Sequence, residues 1–83
     1  MRVLYFAWVK QRVGLGEEEV APPASVQDVA GLIAWLSERS PGHAAAFAQA
    51  KQIRAAVNQE FAGPEAPVKA GDEIAFFPPV TGG

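Results

Sequence analysis

Gly71-Asp72-Glu73-Ile74-Ala75-Phe76-Phe77-Pro78-Pro79-Val80-Thr81-Gly82-Gly83 closes the 83-residue sequence. Ala70-Gly71-Asp72 reads as a turn. Glu73 to Phe77 reads as a strand, with Ile74 and Phe76 on one parity and Phe77 on the other. Pro78-Pro79 stops that strand hard, because proline has no N–H for the ladder and drives the residue before it extended. Nothing in the sequence anchors Val80 to Gly83. Residues 79–83 are therefore expected to form a flexible tail that reaches about 17 Å when extended. Gly82 and Gly83 lack a Cβ, so a backbone ending in them fits a narrow channel where bulkier residues clash. A carboxylate on Gly83 would be a chemical handle. Two glycines at a frayed end arise by chance in roughly one chain in 200, so the pair gains weight only from the strand and prolines before it.

The rest of the chain supplies a small sheet for this strand. Val3 to Val9 is aromatic and branched and predicts a first strand, apolar on both parities: Val3, Tyr5, Ala7 and Val9 against Leu4, Phe6 and Trp8. Lys10 to Gly16 predicts a polar connection, and Glu17 to Ala21 a weak second strand, together a hairpin. Pro22-Pro23 ends it. Ser25 is expected to cap a helix carrying Val26, Val29, Leu32 or Ile33, and Leu36 at helical spacing, with Pro41-Gly42 ending it. His43 to Lys51 predicts a second short helix, and Gln52 to Asn58 alternates as a half-buried strand. Gly63-Pro64 breaks the chain. The order β-β-α-(α)-β-β predicts an α+β roll, a mixed sheet with one main helix across one face, as a single domain over residues 1–83.

Composition removes most chemistries. Cysteine is absent, which excludes disulfides, thiolate nucleophiles and cysteine-held metals. With 7 basic and 9 acidic residues the net charge is −2, which disfavours a nucleic-acid surface. The apolar opening is too short to span a membrane, so a soluble, cytoplasmic protein is expected. His43, the one histidine, reads as an exposed loop or helix-start residue, and no metal site is expected. Gly14-Leu15-Gly16 has no partner for a phosphate loop and reads as a turn. Glu17-Glu18-Glu19 reads as solvation of a strand edge. Eighty-three residues rarely enclose a pocket for paired carboxylates.

Taken with Val3-Leu4-Tyr5-Phe6-Ala7, the helix segment Val26 to Leu36, and Ala55-Ala56-Val57-Asn58-Gln59, the closing stretch resembles one family over the whole chain. It is similar to the small subunits of molybdopterin synthase (MoaD), ubiquitin-like sulfur carriers with a β-grasp fold. Phe-Pro-Pro-Val-Thr-Gly-Gly is the specific part. The resemblance implies that Gly83 is adenylated by a MoeB-like activating enzyme that uses ATP and Mg, and becomes a thiocarboxylate. The tail, with Gly82 beside the reacting end, then enters a MoaE-like large subunit that binds the pterin precursor, within a heterotetramer. The carrier would hold no cofactor of its own. The resemblance also implies apolar partner contacts at Phe6, Phe61 and Phe77, and tail contacts through Pro78, Pro79, Val80 and Thr81. Phe6 and Phe77 should share the sheet face opposite the helix. Each ring buries about 150–200 Å², so the three offer about 11–15 kcal/mol gross before association costs. Lys10 and Arg12, near the end of the first strand, could meet acidic partner residues. A carrier for thiamine thiazole synthesis and a ubiquitin-like protein modifier share the terminal glycines and remain alternatives.

Overall fold

A computed structural model describes residues 1–79. Its sheet runs β2-β1-β5-β3-β4, with β1 Arg2–Tyr5, β2 Glu17–Glu19, β3 Arg54–Val57, β4 Glu60–Ala62 and β5 Glu73–Phe77. β1 and β5 are parallel neighbours at the centre, in the register Arg2↔Glu73 to Tyr5↔Phe76. β2 joins β1, β3 joins β5 and β4 joins β3, all antiparallel. Helices α1 Ala7–Val13, α2 Val29–Ser37 and α3 Pro41–Phe47 contribute to one core with one face of this sheet. The result is an α+β roll of the expected kind, and the described residues add one α-helix, α1, one 3₁₀ turn and one strand, β4, to the expected order β-β-α-(α)-β-β.

The first strand is shorter than Val3 to Val9. It ends at Tyr5, and the chain turns into α1 at Ala7, which takes φ +54°, the left-handed region. The stretch read as strand and polar loop is helical because Val9 and Val13, one turn apart, both bury in the core while Lys10, Gln11 and Arg12 stay exposed. Gly14, at φ +91°, closes α1 by donating its N–H to the Lys10 carbonyl. The β1–β2 pairing forms as expected, but around a helix.

Two helix signals also move. Asp28, not Ser25, caps α2, its carboxylate accepting the Gly31 amide at 2.7 Å. Pro41 starts α3 rather than ending α2: Ser40 caps it, and proline at the first helical position loses no hydrogen bond. Gly42 packs against α1 so closely that an added Cβ would lie 2.6 Å from the Arg12 carbonyl oxygen. The second helix stops at Phe47, and a 3₁₀ turn, Ala50–Gln52, follows.

Val3, Tyr5, Ile74 and Phe76 face the helices and are at most 1% exposed. Phe47 packs edge-on to Phe76, centroids 5.1 Å apart, and Tyr5 stacks beside Phe76. Ala7, expected on this face, is exposed because it has left the strand. Val29, Leu32 and Leu36 carry the apolar stripe of α2, as their spacing predicts.

Candidate functional site

The other sheet face has no helix over it. Register places Leu4, Ala75, Ala56 and Phe61 in one row across β1, β5, β3 and β4. Along this face Phe77 pairs with Arg54. Phe6 follows Tyr5 in extended backbone and donates its N–H to the Phe76 carbonyl, one register step beyond Tyr5↔Phe76. Parity thus puts Phe6 and Phe77 on the same face, opposite the helices, as the sequence predicts. Phe61 is 84% exposed and Phe6 48% exposed, while Phe77 is half-buried. The Phe61 and Phe77 rings lie 5.9 Å apart, tilted at 51°. They reach across β3 because Ala56, the partner of Phe61, has too small a side chain to separate them.

Phe61 owes its place to a hairpin that the sequence pattern hides. Asn58 and Gln59 both take positive φ, 50° and 71°, the signature of the tight two-residue turn between β3 and β4. Gln seldom occupies that second position. Asn58 ties the turn to the start of β5: its Nδ2 donates to Asp72 at 3.0 Å, and its Oδ1 accepts the Glu73 amide at 3.0 Å. The hydrogen bond from Asn58, then that from the Lys69 amide, outweigh burial and hold the Asp72 carboxyl below the usual carboxylate range.

Pro78 is half-buried and Pro79 exposed, directly after the last residue of β5. Val80, Thr81, Gly82 and Gly83 lie outside the described residues. Lys10 is on α1, not near a strand end. It is one helical turn from Phe6, and its side chain lies beside Gly16, where an added Cβ would meet Lys10 Cε at 3.4 Å. Arg12 stacks on Trp8, its guanidinium carbon 4.7 Å from the ring centroid. Among the described residues no group of three or more His, Asp or Glu is placed to hold a metal ion. No helix of the described residues is long and apolar enough to cross a membrane.

The polar residues that the sequence treats as bland form a knot on the helix side. His43 is 5% exposed, not at the surface. Its Nε2 lies 2.6 Å from Glu18 Oε2, and its Nδ1 lies 2.7 Å from Ser40 Oγ. Tyr5 OH donates to the same Glu18 oxygen at 2.7 Å, and Arg39 pairs with Oε1 at 3.3 Å. Glu18 is therefore a hub, unlike its exposed neighbours Glu17 and Glu19. Burial pushes its carboxyl up, but the hydrogen bonds from His43 and Tyr5 outweigh burial and hold it below the usual range. Burial, then the Glu18 carboxylate, push the Tyr5 phenol up. These groups satisfy one another. They join β1, β2 and α3.

The parallel β1–β5 pair, the flanking antiparallel strands, the helices on one face and the aromatic row on the other define a ubiquitin-like protein of β-grasp type. Residues 3–83 match the ThiS family, and the chain belongs to it. It is 42% identical over 83 residues to the molybdopterin synthase sulfur carrier subunit of Escherichia coli, covering 100% of this chain and 99% of that protein. It is 36% identical over 87 residues to the protein of the same name from Haemophilus influenzae, covering 100% and 99%. Among solved structures it is similar to SAMP1, small archaeal modifier protein 1, of Haloferax volcanii. That match has a TM-score of 0.75 at 26% identity and covers 100% of this chain and 98% of the other. The resemblance drawn from the residues, to the sulfur carriers of molybdopterin synthase, thus stands.

Proposed function

We propose that this chain is the sulfur-carrier subunit of a cytoplasmic molybdopterin synthase and that the sulfur rides on the carboxylate of Gly83. The observation that carries the reading is structural. β5, held by a strand on each side, hands the chain to Pro78-Pro79 beside an aromatic face that no helix covers. The full-length likeness to curated sulfur carriers supports it.

The chemistry needs little from the carrier. A carboxylate is a poor electrophile, because its leaving group would be oxide. A MoeB-like activating enzyme, using ATP and Mg, transfers AMP to the Gly83 carboxylate and releases pyrophosphate. A sulfur nucleophile attacks the acyl carbon, AMP leaves, and a thiocarboxylate remains. In a MoaE-like large subunit this soft nucleophile forms a C–S bond to the bound pterin precursor as a C–O bond there breaks and its oxygen leaves. Water then cleaves the acyl–sulfur bond, restoring the carboxylate and leaving the sulfur on the precursor. Two rounds supply the two sulfurs of the dithiolene. Covalent carriage divides one hard transfer into easier steps. Phe6, Phe61 and Phe77 supply the apolar contact to both partners, Lys10 an ionic one, and Pro78, Pro79, Val80 and Thr81 the contacts that lead the tail into the large subunit's site. Gly82 and Gly83 let the acyl carbon pass where a Cβ would clash. Two carriers on a large-subunit dimer make the heterotetramer.

Intact-mass analysis after incubation with the activating enzyme, ATP and a sulfur source tests this. The expected result is one oxygen-to-sulfur exchange confined to the C-terminal peptide, then its loss on addition of large subunit and precursor. No exchange with a competent activating enzyme overturns the carrier reading. Transfer to a thiazole synthase, or conjugates linked through Gly83 to lysines, overturns the pathway.

A further inference from the structure

Arg54 stands apart from the other arginines. Arg2 and Arg39 pair with Glu17 and Glu18, and Arg12 lies on Trp8. Arg54 is exposed and sits opposite Phe77, the last residue of β5. Among the described residues it has no carboxylate within ion-pair distance. Its one side-chain hydrogen bond there is a long one, 3.4 Å, to the Lys51 carbonyl.

Two hollows, one on each face of the sheet, share this residue in their lining. One, of about 500 Å³, lies between α2, the 3₁₀ turn and the β3–β4 hairpin, with Val29, Ile33, Ile53 and Phe76 on its walls and floor. The other, of about 480 Å³, lies on the open sheet face between Phe61, Phe77 and Pro79. Arg54, Ala55, Ala62 and Gly63 line both. No Asp or Glu is among the lining residues, although the Glu65 carboxylate stands beside Gly63, and Lys51 adds a second cation to the first. A positive rim is not a general property of a chain with net charge −2.

We propose that these two hollows, on either side of Arg54, form the docking surface for an acidic–apolar segment of the large subunit. An aliphatic side chain fills the hollow above Phe76, and the carboxylate beside it is held by Arg54 and Lys51. The inference rests on the reading of the chain as a synthase subunit. A guanidinium matches a carboxylate with two parallel hydrogen bonds, so it sets orientation as well as attraction. The second hollow, on the opposite face of the sheet, offers Phe61 and Phe77 as a further apolar contact on the far side of Arg54. Because Arg54 is register-paired with the residue just before Pro78, fixing this one contact also fixes where the tail leaves toward the partner. Two cations over an apolar floor suit one carboxylate with an aliphatic neighbour, not a polyphosphate.

Calorimetric titration of the full chain into the large subunit, at low and high salt, tests this. Arg54→Ala is expected to weaken binding about 10- to 100-fold and to flatten the salt dependence. Arg54→Lys should recover part of the loss, Lys51→Ala should lose less than Arg54→Ala, and Arg2→Ala at the other side of the sheet should bind like wild type. Amide resonances of Ile53, Arg54 and Ala62 should shift in the complex. Wild-type affinity in Arg54→Ala, or unmoved resonances there while Phe61→Ala weakens binding, overturns this inference and leaves the functional reading intact. A wild-type chain that loads sulfur but binds no large subunit overturns both.

Discussion

The two faces of the sheet treat their polar and aromatic groups in opposite ways. On the helix side, Tyr5, Phe47 and Phe76 are buried, and Glu18 collects Tyr5, His43 and Arg39 into a closed network. On the open side, Phe61 is 84% exposed and Arg54 has no carboxylate partner among the described residues. One face spends its interactions on folding. The other leaves them unspent next to the strand that leads to the tail. An exposed aromatic row adds little to the stability of the isolated chain, which is why the proposed partner contact is put there.

The contrast breaks most sharply at two phenylalanines. Phe76→Ala should cost about 3–5 kcal/mol, a large share of the stability of a chain this short. Phe61→Ala should change stability by less than about 0.5 kcal/mol yet weaken large-subunit binding some thirty-fold, about 2 kcal/mol. Thermal melts and calorimetry on the same two variants separate the faces, and a Phe61→Ala chain that melts far below wild type would show the faces are not distinct. Gly42→Ala should cost about 1–3 kcal/mol by overpacking, since the new Cβ would sit 2.6 Å from the Arg12 oxygen and 2.9 Å from that of Val13. Denaturant unfolding reads this directly.

Glu18→Gln should cost about 1–3 kcal/mol, because it leaves buried donors of the network poorly matched. It also sharpens the acid behaviour. The Glu18 carboxyl is held below its usual range when folded. Its contribution is therefore complete above the unfolded value of about 4.3 and is lost as pH falls through the folded one. Wild type should lose stability on that acid limb faster than Glu18→Gln. Some slope should remain in the variant, because Asp72 is depressed in the same direction. Parallel limbs for the two proteins would remove Glu18 from the account. The smallest effect is expected at Ala7, whose φ of +54° costs a Cβ-bearing residue about 1 kcal/mol. Ala7→Gly should match or slightly exceed the wild-type melting temperature, and a clear drop would show that the turn into α1 carries no strain.

Much of this was legible in local pattern. Ile74 and Phe76 alternate with Phe77, so β5 and its two faces follow from parity alone. The stripe on α2 follows from 3.6-residue spacing. α1 was hidden because aromatic and branched residues suit a strand as well as a helix over so short a run, and only burial of Val9 with Val13 decides between them. β4 was hidden because its turn places Gln59 at positive φ. Of the candidate site, parity put Phe6 and Phe77 on one face and the family resemblance pointed to Phe61, while Arg54 was missed because nothing local distinguishes an arginine that will find a carboxylate from one that will not.

The sequence by itself determined the strand that stops before Pro78-Pro79, the absence of cysteine among its 83 residues, and the Gly82-Gly83 pair on which the carrier proposal is built. Those are matters of local backbone chemistry and of which atoms exist. Only the tertiary structure decided which residues meet across long sequence separations. It buried His43 against Glu18, 25 positions apart, and brought Phe61 to Phe77 across β3. Among the described residues it also left Arg54 without a carboxylate partner, between two apolar hollows. Burial and charge pairing depend on the sheet's strand order, and strand order is a property of the packed chain rather than of any segment in it.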